Sequence, residues 1–110
     1  MTAKPVIPRR RAMLDDDEIA DYVLESGPEA IALGFVDAPE SAYAQIGDHP
    51  GIGSLRHSYE LELPGLRARM LKGYPYLVFY VERDDHVDVW RNLQGSRDIL
   101  RLMRDPAGPS

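Results

Sequence analysis

Between Gly65 and Ile99 the chain reads GLRARMLKGYPYLVFYVERDDHVDVWRNLQGSRDI, and this stretch decides what the rest of the molecule can pack against. Two apolar runs, Tyr76 to Val81 and Val87 to Leu93, flank the polar step Asp84-Asp85, and the second run carries charges at alternate places. β-Branched and aromatic residues suit a pleated surface, and Asp tolerates the dihedrals of a tight turn, so the pattern predicts a β-hairpin. Leu66 to Lys72 joins it through Gly73-Tyr74-Pro75, which completes a three-stranded antiparallel meander. A two-residue turn at Asp84-Asp85 would pair Phe79 with Trp90 and Tyr80 with Val89. One sheet face then carries Leu77, Phe79, Val81 and Trp90, and the other carries Tyr76, Val78, Tyr80, Val87 and Val89. A one-residue slip would exchange the faces of the second strand, so the register stays open. In either register both faces are partly apolar. A helical layer covers one, and the other needs a C-terminal helix or a partner protein.

Upstream the signals are mostly helical. Pro5-Val6-Ile7 reads as an edge strand at best, because Pro lacks a donor. Pro8 opens a helix from about Arg9 to Glu25, with Ala12, Ile19, Tyr22 and Val23 near one face. Within it, Asp15-Asp16-Asp17-Glu18 reads as a solvated run that complements the positive end of the helix dipole. A metal site is the weaker alternative, since no His accompanies the run and consecutive positions splay around a helix. Ser26-Gly27-Pro28 separates this helix from a second, about Pro28 to Ile46, with an apolar stripe of Ile31, Phe35, Ala38, Ala42 and Ile46. Pro39 is expected to kink or break it. The short connector makes the pair an antiparallel hairpin. Residues 47–54 form a breaker-rich loop in which a solvated His49 is the first reading and a ligand or base the weaker alternative. Leu55 to Leu63 is ambiguous: the alternation of Tyr59, Leu61 and Leu63 with Glu60 and Glu62 favours an extended segment. A short helix near Arg97 to Arg104, capped by Ser96 or Asp98, precedes a frayed tail. The fold class is therefore α+β: an N-terminal helical hairpin on a small antiparallel sheet, with a short C-terminal helix, in one domain of 110 residues.

Composition narrows the function. There is no cysteine, hence no disulfide framework and no thiol chemistry. No apolar run approaches the roughly 20 residues that span a bilayer, and the N-terminal basic residues lack a following apolar region, so a cytoplasmic protein without a membrane partner is expected. The net charge of −5 argues against direct, sequence-independent nucleic-acid binding, which needs excess Lys and Arg on the phosphates. No Lys or Arg occurs from Ala12 to Asp48, and the basic residues return from Arg56 onward. No phosphate-binding glycine loop, HExxH or nucleophile elbow is present, and His49, His57 and His86 lack metal-ligand spacing, so no catalytic set, metal or cofactor is assigned. What remains is Arg67, Arg69, Lys72, Arg91 and Arg97 on or near the strands. Arg67 and Arg69 share a sheet face if Leu66 to Lys72 is a strand. These are either ordinary surface arginines or an anion-binding face for phosphate or for a partner's carboxylates.

Three segments then resemble the ParE/RelE superfamily of small bacterial toxins, and within it the ParE branch. The first is an Ile-Pro step leading to Glu18-Ile19-Ala20-Asp21-Tyr22. The second is Gly65-Leu66-Arg67 followed by Gly73-Tyr74-Pro75-Tyr76-Leu77-Val78-Phe79-Tyr80. The third is Val89-Trp90-Arg91-Asn92-Leu93-Gln94-Gly95-Ser96-Arg97-Asp98-Ile99, similar to the family's R-V-L-H-G-x-R-D ending. The resemblance implies a toxin of a plasmid-stabilising type II toxin–antitoxin module, neutralised by a ParD-like antitoxin and directed at DNA gyrase. RelE-like relatives instead cut messenger RNA on the ribosome. Gln94 stands where the family often has His, and an amide cannot act as a general acid or base. The chain also lacks the Tyr that RNA-cleaving relatives often carry near the end. Both departures favour a binding inhibitor over an endonuclease, with an inert partner-binding member as a third reading. Candidate target- or partner-binding residues are Arg67, Arg69, Arg91, Arg97 and Asp98.

Overall fold

The structure is a computed structural model that describes residues 3–26 and 29–95 together with Ile99 and Met103, and for 26 and 29–36 the backbone alone. Its elements are β1 (Val6–Pro8), α1 (Arg10–Ser26), α2 (Glu29–Asp48), a 3-10 turn (Pro50–Ile52), α3 (Arg56–Leu61), β2 (Leu66–Met70), β3 (Tyr76–Glu82) and β4 (Val87–Gln94). The four strands form one sheet in the order β1-β4-β3-β2. The meander β2-β3-β4 is antiparallel as expected, and β1 adds at the edge, parallel to β4.

The Asp84-Asp85 turn closes with Arg83 N–H donating to the His86 carbonyl at 2.8 Å. From it the ladder pairs Tyr80 with Val89, and then shifts so that Phe79 pairs with Arg91. Trp90 is thus the extra residue of a bulge, where the sequence would have paired it with Phe79. A bulge bends its strand and re-aims the neighbouring side chain. The two faces hold as read. Tyr76, Val78, Tyr80, Val87 and Val89 pack under Ala12, Ala42 and Ile46 of the two helices. On the other face, Phe79, Val81 and Leu93 are covered by Leu61, Ile99 and Met103. Ile99 and Met103 are helical, one turn apart, in the region expected to hold the C-terminal helix.

Four local expectations change. Residues 56–61 are a helix, not a strand: Glu62 takes a left-handed conformation (φ 56°), and Leu63 N–H returns to the Ser58 carbonyl at 3.0 Å, a helix-ending closure. The apolar alternation there was accidental, since Leu61 is buried while Tyr59 faces solvent. α2 runs through Pro39 without a break. Ala42 and Ile46 beyond it are fixed on the sheet, and that packing offsets the missing hydrogen bond. Tyr22 lies off the apolar stripe of α1 and is 63% exposed. The acidic run begins half-way down the second turn of α1, too far from its start at Arg10 to feel the dipole strongly. Gly27, Pro28 and residues 104–110 lie outside the described residues, and so do the side chains of Ile31 and Phe35.

Candidate functional site

The basic side chains singled out by the sequence occupy three different environments. Arg91 is 3% exposed, and Asp15 is 4% exposed. Arg91 donates from Nε to Asp15 Oδ2 at 2.8 Å and from Nη2 to Oδ1 at 3.1 Å. The Asn92 backbone N–H donates to the same Oδ2 at 3.0 Å. The bulge at Trp90 lies directly before this pair, which sits where α1 crosses β4. The fork of a guanidinium matches a carboxylate edge to edge, so the pair is specific as well as strong. Arg91 therefore joins helix to sheet and is withdrawn from the surface on which an anion-binding role was expected.

Asp16 makes the adjoining link. It accepts from Asn92 Nδ2 at 2.6 Å and from the Tyr43 hydroxyl of α2 at 2.8 Å. Burial pushes its carboxyl above the ordinary range, against the lowering effect of those two hydrogen bonds and with the help of its neighbours Asp15 and Asp17. Burial next to Asp16 also raises the Tyr43 phenol. Asp15, Asp16, Asn92 and Tyr43 were not among the sequence candidates. A signal was present: Asp15 and Asp16 stand three and four residues after Ala12 and before Ile19, so helical spacing places them on the apolar face.

Arg67 has a second environment. Its Nη1 donates to the carbonyls of Gly53 at 2.9 Å and Gly51 at 3.3 Å. Tyr80 completes this clamp from the paired position on β3, donating to the Pro50 carbonyl at 2.7 Å and accepting from Gly53 N–H at 2.8 Å. A Cβ on Gly53 would stand 2.6 Å from the Tyr80 hydroxyl, so the loop can approach this closely only with glycine there.

Arg69 has the third. It shares the face of Arg67, as the strand reading required, and pairs with Val78. Its Nη2 meets Gln45 Oε1 of α2 at 3.5 Å, the outer limit of a hydrogen bond, and its Nε is buried without a partner among the described residues. It borders a groove of ≈ 550 Å³ between α2 and β2, lined by Ala38, Ala42, Gln45, Leu71, Lys72 and Tyr74 among others. A second groove of ≈ 400 Å³ lies between α1 and β4, where Arg11, Glu18, Tyr22, Tyr76 and Gln94 surround the Asp15–Arg91 pair. Arg97 and Asp98 lie outside the described residues.

At the β1–β4 edge, Asp88 collects four N–H donors from three side chains. Arg9 meets it through Nε and Nη2, both at 2.9 Å, Arg83 through Nη2 at 3.1 Å, and Trp90 through Nε1 at 2.9 Å. The Arg9 guanidinium also covers the Trp90 ring at 4.6 Å. Burial would raise the Asp88 carboxyl, but the hydrogen bonds from Arg9, Trp90 and Arg83 outweigh it and hold the group at about 2. Among the described residues no three His, Asp or Glu side chains are grouped to hold a metal ion.

Comparison with known proteins bears on the family and on the fold. The family model described as the ParE toxin of the type II toxin–antitoxin system parDE matches residues 6–99. A solved structure titled as the chromosomal ParDE toxin–antitoxin system from P. aeruginosa superposes with a TM-score of 0.70 at 19% identity, over 84% of this chain and 96% of that one. At that identity the likeness bears on the fold. No curated protein sequence matches.

Proposed function

Because the chain belongs to the ParE toxin family of type II toxin–antitoxin systems, we propose that it is the toxin of such a pair, neutralised by a ParD-like antitoxin, and that it inhibits DNA gyrase by binding. The observation that carries this reading is the family match across residues 6–99, which takes in α1, α2, α3 and all four strands. The side-chain geometry supports binding over cleavage. RNA cleavage needs cations aimed at a phosphate and a group able to move a proton. Here the Arg91 guanidinium is spent on Asp15 and that of Arg67 on loop carbonyls, while Gln94 offers an amide at the position where His is frequent. The reading places the toxin in the cytoplasm, where gyrase is found, and no helix among the described residues is long and apolar enough to cross a membrane.

The test is a supercoiling assay with purified DNA gyrase, with and without the antitoxin encoded beside this chain. Inhibition with accumulated cleaved DNA, relieved by antitoxin, is the expected outcome. Unchanged supercoiling at a large excess of toxin would refute the gyrase target. Translation arrest in a cell-free extract would then favour the ribosome.

A further inference from the structure

We propose that two copies of this chain pair through the outer side of α3, the two helices running antiparallel across a two-fold axis, so that Arg56 of each copy meets Glu60 of the other and Leu55 and Tyr59 pack on their own counterparts. α3 covers the sheet face opposite the one that carries the helical hairpin. The pairing does not depend on which target the chain acts on.

The fold leaves apolar surface uncovered here. α3 packs inward through Ser58 and Leu61, and Leu61 shares a core with Leu66 and Ala68 of β2. Leu55, Arg56, Tyr59 and Glu60 are left exposed. Tyr59, at 82%, is the most exposed of the large hydrophobic residues described. Met70 extends the patch: alternation along β2 puts its side chain on the face of Leu66 and Ala68, and it is 58% exposed. Apolar residues gathered on one exposed face mark an interaction site.

Charge and helix geometry select the occupant. At about 100° per residue, Leu55 and Tyr59 form one stripe of this face, and Arg56 and Glu60 form a second stripe beside it. A two-fold axis perpendicular to an antiparallel pair keeps each stripe on its own side, so apolar meets apolar. The same axis reverses the chain direction, so Arg56 comes opposite Glu60 twice. A partner of one sign would match only Arg56 or only Glu60, whereas a second copy matches both. Arg56 donates its backbone N–H to Ser54 Oγ at 3.1 Å, and its guanidinium has no partner among the described residues. A nucleic acid fits less well, because it would meet Glu60 and a net charge of −5. About five side chains per copy, against the roughly 20–30 of a standard interface, make this a pair of micromolar or weaker affinity.

The experiment is sedimentation equilibrium on the full chain, from about 5 to about 500 μM. The wild type should show a reversible monomer–dimer equilibrium. Arg56→Glu and Glu60→Arg, both at exposed positions, should each weaken it about tenfold, because two opposite-charge contacts become two like-charge ones. An equimolar mixture of these two variants should regain wild-type affinity as a heterodimer, since one copy then carries two acids and the other two bases. The double variant, Arg56→Glu with Glu60→Arg, should regain it as a homodimer. Tyr59→Ser should weaken the pair comparably with an unchanged thermal midpoint. A wild-type chain that stays monomeric to the highest concentration overturns the pairing, and so does a dimer indifferent to all three single changes. Weakening in the single variants without recovery in the mixture overturns the antiparallel register. A monomeric wild type whose binding to the antitoxin encoded beside it is lost in Arg56→Glu and Tyr59→Ser overturns the second copy as the occupant of this face.

Discussion

Asp15 and Asp16 are adjacent in the chain and do different work. Asp15 neutralises a buried guanidinium, and removing its charge strands Arg91 in the core. Asp15→Asn should cost about 3–5 kcal/mol in a urea titration, the range for breaking one side of a buried ion pair. Asp16 is a carboxyl held among uncharged donors and raised by its own burial. Asp16→Asn keeps an oxygen for Asn92 and removes the desolvated charge, so it should change stability by no more than about 1 kcal/mol. Asp88 gives the pH dependence. Its carboxyl is lowered from 3.8 to about 2, so its contribution is complete above pH 4 and is lost as the pH falls through 2. A shift of that size is worth about 2 kcal/mol. Thermal scans between pH 2 and 5 should show this acid limb in the wild type and a flatter profile in Asp88→Asn. Composition alone made the acidic run look like solvated surface. Only the match of Asp15 and Asp16 to the spacing of Ala12 and Ile19 marked them as inward, and their partner lay 76 residues away. Nothing local in a sequence announces such a pair.

Elements were legible where periodicity and burial agreed. The strands of the meander and their two faces followed from alternation, because the sheet is covered on both sides and each face is apolar in its own right. α3 was not legible: six residues are too few for helical periodicity to outweigh a chance alternation, and the left-handed turn that ends the helix is made by Glu62, a residue with no preference for it. The bulge at Trp90 was equally hidden, since it stands next to bonds that Arg91 and the Asn92 backbone make to the distant Asp15. The loop over Pro50 to Gly53 reads as breaker-rich, but what fixes it is Tyr80. Tyr80→Phe leaves a half-buried carbonyl and a buried N–H unmet, and should destabilise the protein by about 1–3 kcal/mol. Amide exchange at Gly53 should quicken more than at the neighbouring helix, and equal protection in mutant and wild type would argue against the clamp.

At the scale of the whole molecule, the polar links run between elements that are remote in sequence. Asp15 and Asp16 tie α1 to β4, Tyr43 brings in α2, and Arg9 ties the start of α1 to Asp88. We expect the described elements to unfold as one cooperative unit. The sole tryptophan, Trp90, sits under Arg9 and bonds Asp88, so its fluorescence reports the β1–β4 edge, while far-UV dichroism reports the helices. The two probes should give superimposable urea transitions, and an earlier fluorescence midpoint would show that the edge opens on its own.

The pairing of β1 with β4 also has a consequence for how the molecule is made. The first strand to be synthesised finds its place only against the last, as Val6 to Pro8 wait for Val87 to Val89. The same holds for the ion pairs of Arg9 and Asp15, whose partners are made near the end. A ribosome that stops before β4 releases a chain whose β1 has no strand to pair with, whose helices keep only the β3 part of their sheet face, and whose Asp15 lacks the fork of Arg91. In this topology a chain cut short before β4 lacks the β4 partners of β1, of Arg9 and of the carboxylate pair at Asp15 and Asp16.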